Sequence, residues 1–368
     1  MRKTVVFGAG VQGEKFIYRN FDRVNIYCFW DNKKTGEFLG YPIKKPEFDK
    51  NLFVVVASTA YLEIREQLIS MGYQEFEDFI PFQIFEKKMV VAFGNCHLNV
   101  VRQYLEGHKG FSSEYGFYPF PTIDTIEKHH LEYSGILEQC DLFFHQSIRK
   151  DNRYGEEYSS EYMLQYVRNS CKVISVPNLY GLPKYLFPQS YEPPQMGVLS
   201  RFFLDRNVII WLKEGKSEEE IIAYILRGGI YSKSEIRYLW EAFKKKMCDR
   251  EKEWDIKISD YILDNYKRDK IFADIGHINS KTAKEIASRI LEFMKYKEKL
   301  SVELPLLDGL ETVVYQDVKE ALGLEFEEEL LRKYVRSRSL DNYEMNVEEY
   351  VRQLCRYTKF WMKSGVVE

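Results

Sequence analysis

The chain has 368 residues, 45% of them hydrophobic and 30% charged, a composition suited to folded globular domains and a length suited to two of them. Lys and Arg total 53 against 56 Asp and Glu, a formal net charge of -3, which leaves no sequence-wide positive field for a nucleic-acid partner. The longest apolar runs, LFVVVA at 52–57 and VIIWL at 208–212, fall far short of the ~20 residues that cross a bilayer, so no transmembrane segment is expected and any membrane contact is peripheral.

MRKTVVFGAG begins with two cations and a short apolar run, but Gln12, Glu14 and Lys15 interrupt it, and no signal peptide is expected. Cys28, Cys96, Cys140, Cys171, Cys248 and Cys355 are scattered singly, which reads as free, mostly buried thiols in a reducing bacterial cytoplasm. KTVVFGAG predicts a strand running into a glycine turn, VQGEKFIYRNF a helix, NIYCFWD and LFVVVAS two more strands, and AYLEIREQLISMG a helix closed by Gly72. This alternation predicts a small parallel sheet with helices on both faces, a Rossmann-like module over 1–86. FIPFQIFEKK carries no clear period and MVVAFGNC restarts with a strand, which sets the boundary there.

Over 87–300 the alternation returns, with strands MVVAF, CDLFFHQ and CKVISVP separated by helices NVVRQYLEG and SEYMLQYVRNS. From 196 to 270 the pattern turns mostly helical, and SEEEIIAYIL opens on a capping box of Ser217 and Glu220. A helix, KTAKEIASRILEFMKYKEKL, follows FADIGHINS. Residues 301–368 read as a charged helical extension, a cap or a homo-oligomer contact. The fold class expected is α/β throughout, with a helical insertion and a helical tail.

Gly8, Gly10 and Gly13 make a G-x-G-x-x-G between a strand and a helix, and Asp31 ends the next strand. In a dinucleotide fold such glycines let backbone approach a pyrophosphate while the acid takes ribose hydroxyls; they equally permit a tight turn with close helix packing. The stretch through FWDNKKTGEFLGYPIKKPE resembles the small Rossmann-like sugar-nucleotide modules found with FkbM-type methyltransferases and PglD-type sugar acetyltransferases, in which an Asp-Asn (here Asp31, Asn32) and a G-x-P (here Gly40, Pro42) recur. That resemblance implies a nucleotide-sugar ligand in competition with NAD(P), and no hydride-transfer residue is recognisable.

AFGNCHLN places Cys96 just past a strand and at the start of a helix, where a helix dipole lowers a thiol's pKa and backbone N–H groups await an oxyanion. The nucleophile needs a base. FADIGHIN sets Asp274 three residues before His277 in a loop leading into a helix, a spacing that is weak alone. An early G-N-C and a late D-x-x-H repeat the layout of SGNH/GDSL hydrolases, with Cys in the serine position. Together with CDLFFHQSIRKDNRYG and VISVPNLYG, these blocks resemble the WcbI-type polysaccharide biosynthesis family over about 89–295.

The resemblance implies an SGNH-like domain that moves an acyl group, most simply acetyl, from acetyl-CoA to a sugar hydroxyl of a surface or capsular polysaccharide precursor. On it Cys96 takes the nucleophile position, His277 the base and Asp274 its orienting acid. Asn95, His97, Gln146 and Asn178 fall where they orient substrate or complete an oxyanion hole. His97 stands where the family commonly has Gln, and DIGHIN lacks a Pro often seen there. Each residue also has a plainer reading: Cys96 as a small buried hydrophobe, His277 as a helix cap, His97 as a first-turn residue, Gln146 and Asn178 as turn-formers. His129 and His130 are adjacent and lack metal-ligand spacing, so no metal is expected. RKDNR and FKKKMCDREK read as solvated faces before coenzyme phosphate sites. Two routes stay open, an acyl-Cys96 intermediate or direct deprotonation of the sugar by His277. The alternatives are a sugar-nucleotide or NAD(P) binding protein or oxidoreductase, and an SGNH-type esterase.

Overall fold

Lys3–Phe7 (β1) is buried from its second residue on, and Leu52–Val56 (β5) runs beside it in parallel with Val54, Val55 and Val56 wholly buried. Such continuous apolar runs mark strands covered on both faces. The computed structural model describes residues 2–126, 132–191, 204–302, 311–328, 331–333 and 343–365. Two compact units compose it: Met1–Asn95 with Lys109–Ile174, and Cys96–His108 with Ser175–Glu368.

In the first unit, β1 leads through Val11–Asn20 (α1) to Ile26–Trp30 (β2), then to the hairpin Gly36–Phe38 (β3) and Tyr41–Lys44 (β4), to β5, and through Tyr61–Ser70 (α2) to Phe79–Pro81 (β6). The sheet order is β3-β4-β2-β1-β5-β6, parallel except for the hairpin. Leu39 and Gly40 both have positive φ in its two-residue turn, as a type I′ turn demands. The order reverses between β1 and β5, which is where the glycine turn lies.

A second, four-stranded sheet has the order β10-β9-β7-β8, built from Lys88–Phe93 (β7), Tyr115–Phe117 (β8), Leu142–Gln146 (β9) and Lys172–Val176 (β10). Lys109–Glu114 (α4), Ser134–Glu138 (α5) and Ser160–Leu164 (α6) connect them within the first unit. One apolar core that includes Val54, Phe79, Val91 and Phe143 joins the two sheets. Inside it Glu75 accepts from the Tyr61 hydroxyl (2.5 Å), the Tyr118 hydroxyl (2.6 Å) and Arg65 Nε (2.6 Å). The helix expected over SEYMLQYVRNS stops at Leu164, and Arg168 turns to bond the Cys140 carbonyl and Asp141 instead.

The second unit is mainly helical: Cys96–Gly107 (α3), Arg206–Lys213 (α7), Glu218–Arg227 (α8), Lys233–Glu251 (α9), Ser259–Asn265 (α10), Ser280–Phe293 (α11), Gln316–Leu322 (α12) and Val347–Lys363 (α13). It also holds two short antiparallel pairs, Ser190–Tyr191 (β11) with Leu204–Asp205 (β12) and Leu331–Lys333 (β13) with Tyr343–Met345 (β14). Capping boxes open α8 with Ser217 and Glu220, α9 with Ser232 and Glu235, and α13 with Asn346 and Glu349. α11 ends at Phe293, short of the stretch to 300 expected from periodicity, because Lys295 takes a left-handed φ of 66° just beyond it. α13 buries Tyr350, Val351, Leu354 and Cys355 while packing on α7 and α8. Cys28, Cys140, Cys171 and Cys355 are buried free thiols, Cys96 is half-buried and Cys248 is exposed.

Candidate active site

Between β7 and α3 stand only Gly94 and Asn95, so the chain turns from a buried strand directly into a helix whose first residue is Cys96. A Cβ at Gly94 would lie 2.5 Å from the carboxamide oxygen of Gln146 at the end of β9. The same oxygen accepts the Asn95 N–H at 2.8 Å, and Ser160 Oγ holds the Gln146 carbonyl at 2.7 Å. Gln146, 1% exposed, thus closes the turn ahead of the helix, and glycine is what lets it come so near.

In the second unit, residues 271–279 form a closed loop. Phe272 and Ile278 bridge across it, Ala273 N–H donates to His277 O (3.0 Å), and Asn279 N–H donates to Ile271 O (3.0 Å). Asn279 then caps α11, accepting from Thr282 N at 2.8 Å. At the loop tip, His277 Nδ1 lies 2.9 and 2.8 Å from the two Asp274 oxygens. A carboxylate only accepts, so Nδ1 carries the proton. Gly276 N–H also donates to Asp274 Oδ1, at 2.6 Å. The Cys96 thiol is hydrogen-bonded to the same imidazole, brought there by the packing of α3 on α11. The His277 side chain is 35% exposed and that of Asp274 3%, so the imidazole reaches solvent while its acid does not.

Burial alone would lower the His277 pKa, but the bonds and charges of Asp274 and Cys96 outweigh it and push it up to about 10. The imidazole is therefore charged at neutral pH. A folded-state value above the unfolded one stabilises the fold fully below about pH 6.5, and the gain is lost as pH rises toward about 10. Denaturant unfolding of the parent and His277→Gln should show a stability gap that narrows between those limits, and a gap constant with pH would contradict this electrostatic role. His97, 3% exposed, is the opposite case. Burial and the charge on His277 bring it down to about 4, against the bond its Nε2 makes to the Gly276 carbonyl.

Other segments of this unit hold the loop. Gly181 N–H donates to Ile275 O (3.2 Å), tying it to the segment after β10. There Asn178 accepts from Tyr180 N (3.2 Å) through its side chain and from Arg250 through its carbonyl (3.2 Å). From the C-terminal side, Thr312 N–H donates to Ala273 O (2.8 Å), and Lys270 Nζ donates to Thr312 O (2.9 Å) and Glu328 Oε1 (2.6 Å). Nothing in the sequence spacing of Lys270, Thr312 and Glu328 marks them as neighbours.

The N-terminal turn lies in the first unit. Gly8 (φ 125°) and Gly13 each pass so close to a backbone carbonyl, Ala57 O and Gly8 O respectively, that a Cβ would sit 2.4 and 2.1 Å from it. Gly10 begins α1 with open space where a Cβ would be. Asp31 takes the N–H groups of Ala9, Lys33 and Lys34; burial raises its pKa, and these three bonds bring it below the ordinary carboxylate value. Asn32 pairs with Gln67 by two amide hydrogen bonds. Of the basic stretches, Arg149 pairs with Asp151 and Lys252 with Asp249 on the surface. His129 and His130 lie outside the described residues. Among the described residues, no group of three or more His, Cys, Asp or Glu could hold a metal ion, and no helix is long and apolar enough to cross a membrane.

The fold and this site define an α/β protein with parallel sheets in which a thiol, an imidazole and a carboxylate are hydrogen-bonded in series at a helix start. Residues 89–299 match the family described as polysaccharide biosynthesis enzyme WcbI, and since that is more than half of the chain, the protein belongs to this family of enzymes. Over 76% of this chain and 92% of the other, it is similar in structure, with a TM-score of 0.59 and 17% identity, to a protein described as WcbI, a novel polysaccharide biosynthesis enzyme, in a native form without a disulfide bond between coenzyme A and one of its cysteines. That likeness is one of fold. No curated protein sequence matches the chain.

Proposed function

We propose that the protein transfers an acyl group, most simply acetyl, from a coenzyme A thioester to a sugar hydroxyl of a surface polysaccharide or its precursor, in a bacterial cytoplasm. The observation that carries this reading is the series Cys96, His277, Asp274 within one unit. The family supports the polysaccharide pathway, and the solved structure of similar fold, whose description names coenzyme A, supports the donor. We read the four-stranded sheet and the helix it feeds as SGNH-like.

The Cys96 sulfur, its proton held on His277, attacks the thioester carbonyl. The carbonyl's bond to the coenzyme sulfur breaks, and the departing sulfur takes the proton from His277. The bond made and the bond broken are both thioesters, so the step runs nearly level. His277, now neutral, accepts the proton of the sugar hydroxyl as its oxygen attacks acyl-Cys96, and the Cys96 sulfur leaves with the imidazolium restored. A charged resting imidazole suits an acid that acts first and a base that acts second. Asp274 keeps Nδ1 protonated throughout, so that the other ring nitrogen faces the chemistry.

Incubation with acetyl-CoA in the absence of acceptor should leave Cys96 carrying an acetyl group, located by peptide mass spectrometry and removed by hydroxylamine. His277→Ala should not accumulate it. An unmodified Cys96 in a protein that still transfers acetyl to sugar would favour direct deprotonation of the sugar by His277, and turnover to free acetate that no sugar competes with would favour an esterase.

A further inference from the structure

We infer that His97 is the positioning residue of this site: it donates Nε2–H to the Gly276 carbonyl and so holds the loop of Asp274 and His277 in register with the helix that carries Cys96. The inference rests on the Cys96–His277 pairing of the proposed function and adds a residue that touches neither substrate nor the reacting atoms. A carbonyl accepts and never donates, so the hydrogen bond requires the proton on Nε2. Consecutive residues of α3 thus bond consecutive residues of the loop in reverse order, Cys96 to His277 and His97 to Gly276. Two such rungs fix a direction as well as a distance. Gly276 is also held at its other end, since its N–H donates to Asp274 Oδ1 at 2.6 Å. A shift of the Gly276 carbonyl therefore moves the acid that orients His277.

The surroundings keep His97 in the neutral state this bond uses. It is 3% exposed, and its ring centre lies 6.1 Å from that of His277, which is charged at neutral pH. A second proton on His97 would meet that charge in a buried place. Among the described residues, the titratable groups that act on the pair are Asp274 and Cys96 beside His277, and each histidine on the other.

The readout is the alkylation rate of Cys96 by iodoacetamide as a function of pH, followed by peptide mass spectrometry in a Cys248→Ser background because Cys248 is the exposed thiol. His97→Phe should slow alkylation near pH 7 roughly tenfold and displace its pH midpoint, the scale of one buried hydrogen bond left unmade. His97→Gln, whose amide can donate the same bond, should stay within about threefold of the parent. His97→Met answers the same question should the Phe variant fail to fold. A rate and midpoint unchanged in His97→Phe or His97→Met would overturn the inference and leave His97 as core packing. Alkylation involves no coenzyme A, so it separates the two readings. An unaltered profile in His277→Ala would remove the pairing and the inference with it; a shifted one, in a protein that takes no acetyl group from acetyl-CoA, would refute acyl transfer and leave the role of His97 standing.

Discussion

Replacing Cys96 with Ala is expected to lower acyl transfer about 10³-fold or more, with His277→Ala falling to a similar floor and the double variant no lower. Residues that act as one unit are non-additive: once the nucleophile is gone, its proton partner has nothing left to assist. Asp274→Asn should retain more activity than either, because it removes an orienting acid and leaves both reacting groups in place. Folding is a separate question, since His277 is partly exposed and Cys96 half-buried, and truncating either leaves a small opening that solvent reaches. The measurement is the initial rate of acetyl transfer from labelled acetyl-CoA to a sugar acceptor, with the melting temperature of each variant beside it. Full activity in both single variants would end the assignment of this site.

The largest stability effect is expected far from that chemistry, at Glu75. Its carboxylate gathers the hydroxyls of Tyr61 and Tyr118 and the guanidinium of Arg65, with side-chain exposures of 7% for Glu75 and 15% for Arg65. Burial first, and then the neighbouring negative charge, push the ionisation of both tyrosines well above its ordinary range, so both hydroxyls stay protonated and donate. Glu75→Ala strands three buried donors, one of them charged, and should cost about 3–5 kcal/mol. The matching fall in melting temperature for the first unit is on the order of 10 °C. Glu75→Gln keeps an oxygen for the tyrosines and should cost distinctly less. A loss below about 1 kcal/mol for Glu75→Ala would mean that water replaces the carboxylate at little cost.

Much of the architecture was legible because it is written in local patterns. Apolar runs marked β1, β5 and β7, the first and last of them ending at a glycine, and a two-residue signal, Ser217 with Glu220, marked the start of α8. The short β6 strand was not legible: Phe79–Pro81 is three residues long, too short to show a period, and it exists because β5 offers it a parallel edge. Periodicity overstates the reach of α6 and α11 for a related reason. Helical periodicity continues past both, but at Arg168 a side chain finds better partners outside the helix, and at Lys295 the backbone turns left-handed.

At the site the division follows sequence distance. Asp274 and His277 are three residues apart, Cys96 opens a helix, and both facts can be read from residue order and glycine placement. That order sets the chemistry on offer: a thiol where backbone N–H groups point outward, and an imidazole beside its acid. The bond from His97 to Gly276 spans 179 positions and that from Lys270 to Glu328 spans 58. Gln146 at Gly94 and Asn95 belongs with them, since a pattern of apolar faces says which side of an element is buried and nothing of which polar atom waits opposite. Hydrophobic periodicity is a one-dimensional record of burial, whereas hydrogen-bond partners are chosen by how elements pack, and packing is a property of the whole chain. Residue order along this protein thus supplied a thiol, an imidazole with its acid, and the elements that bear them, while the folding of α3 against α11 brought Cys96 to His277 and set His97, an ordinary first-turn residue in the sequence, against the Gly276 carbonyl.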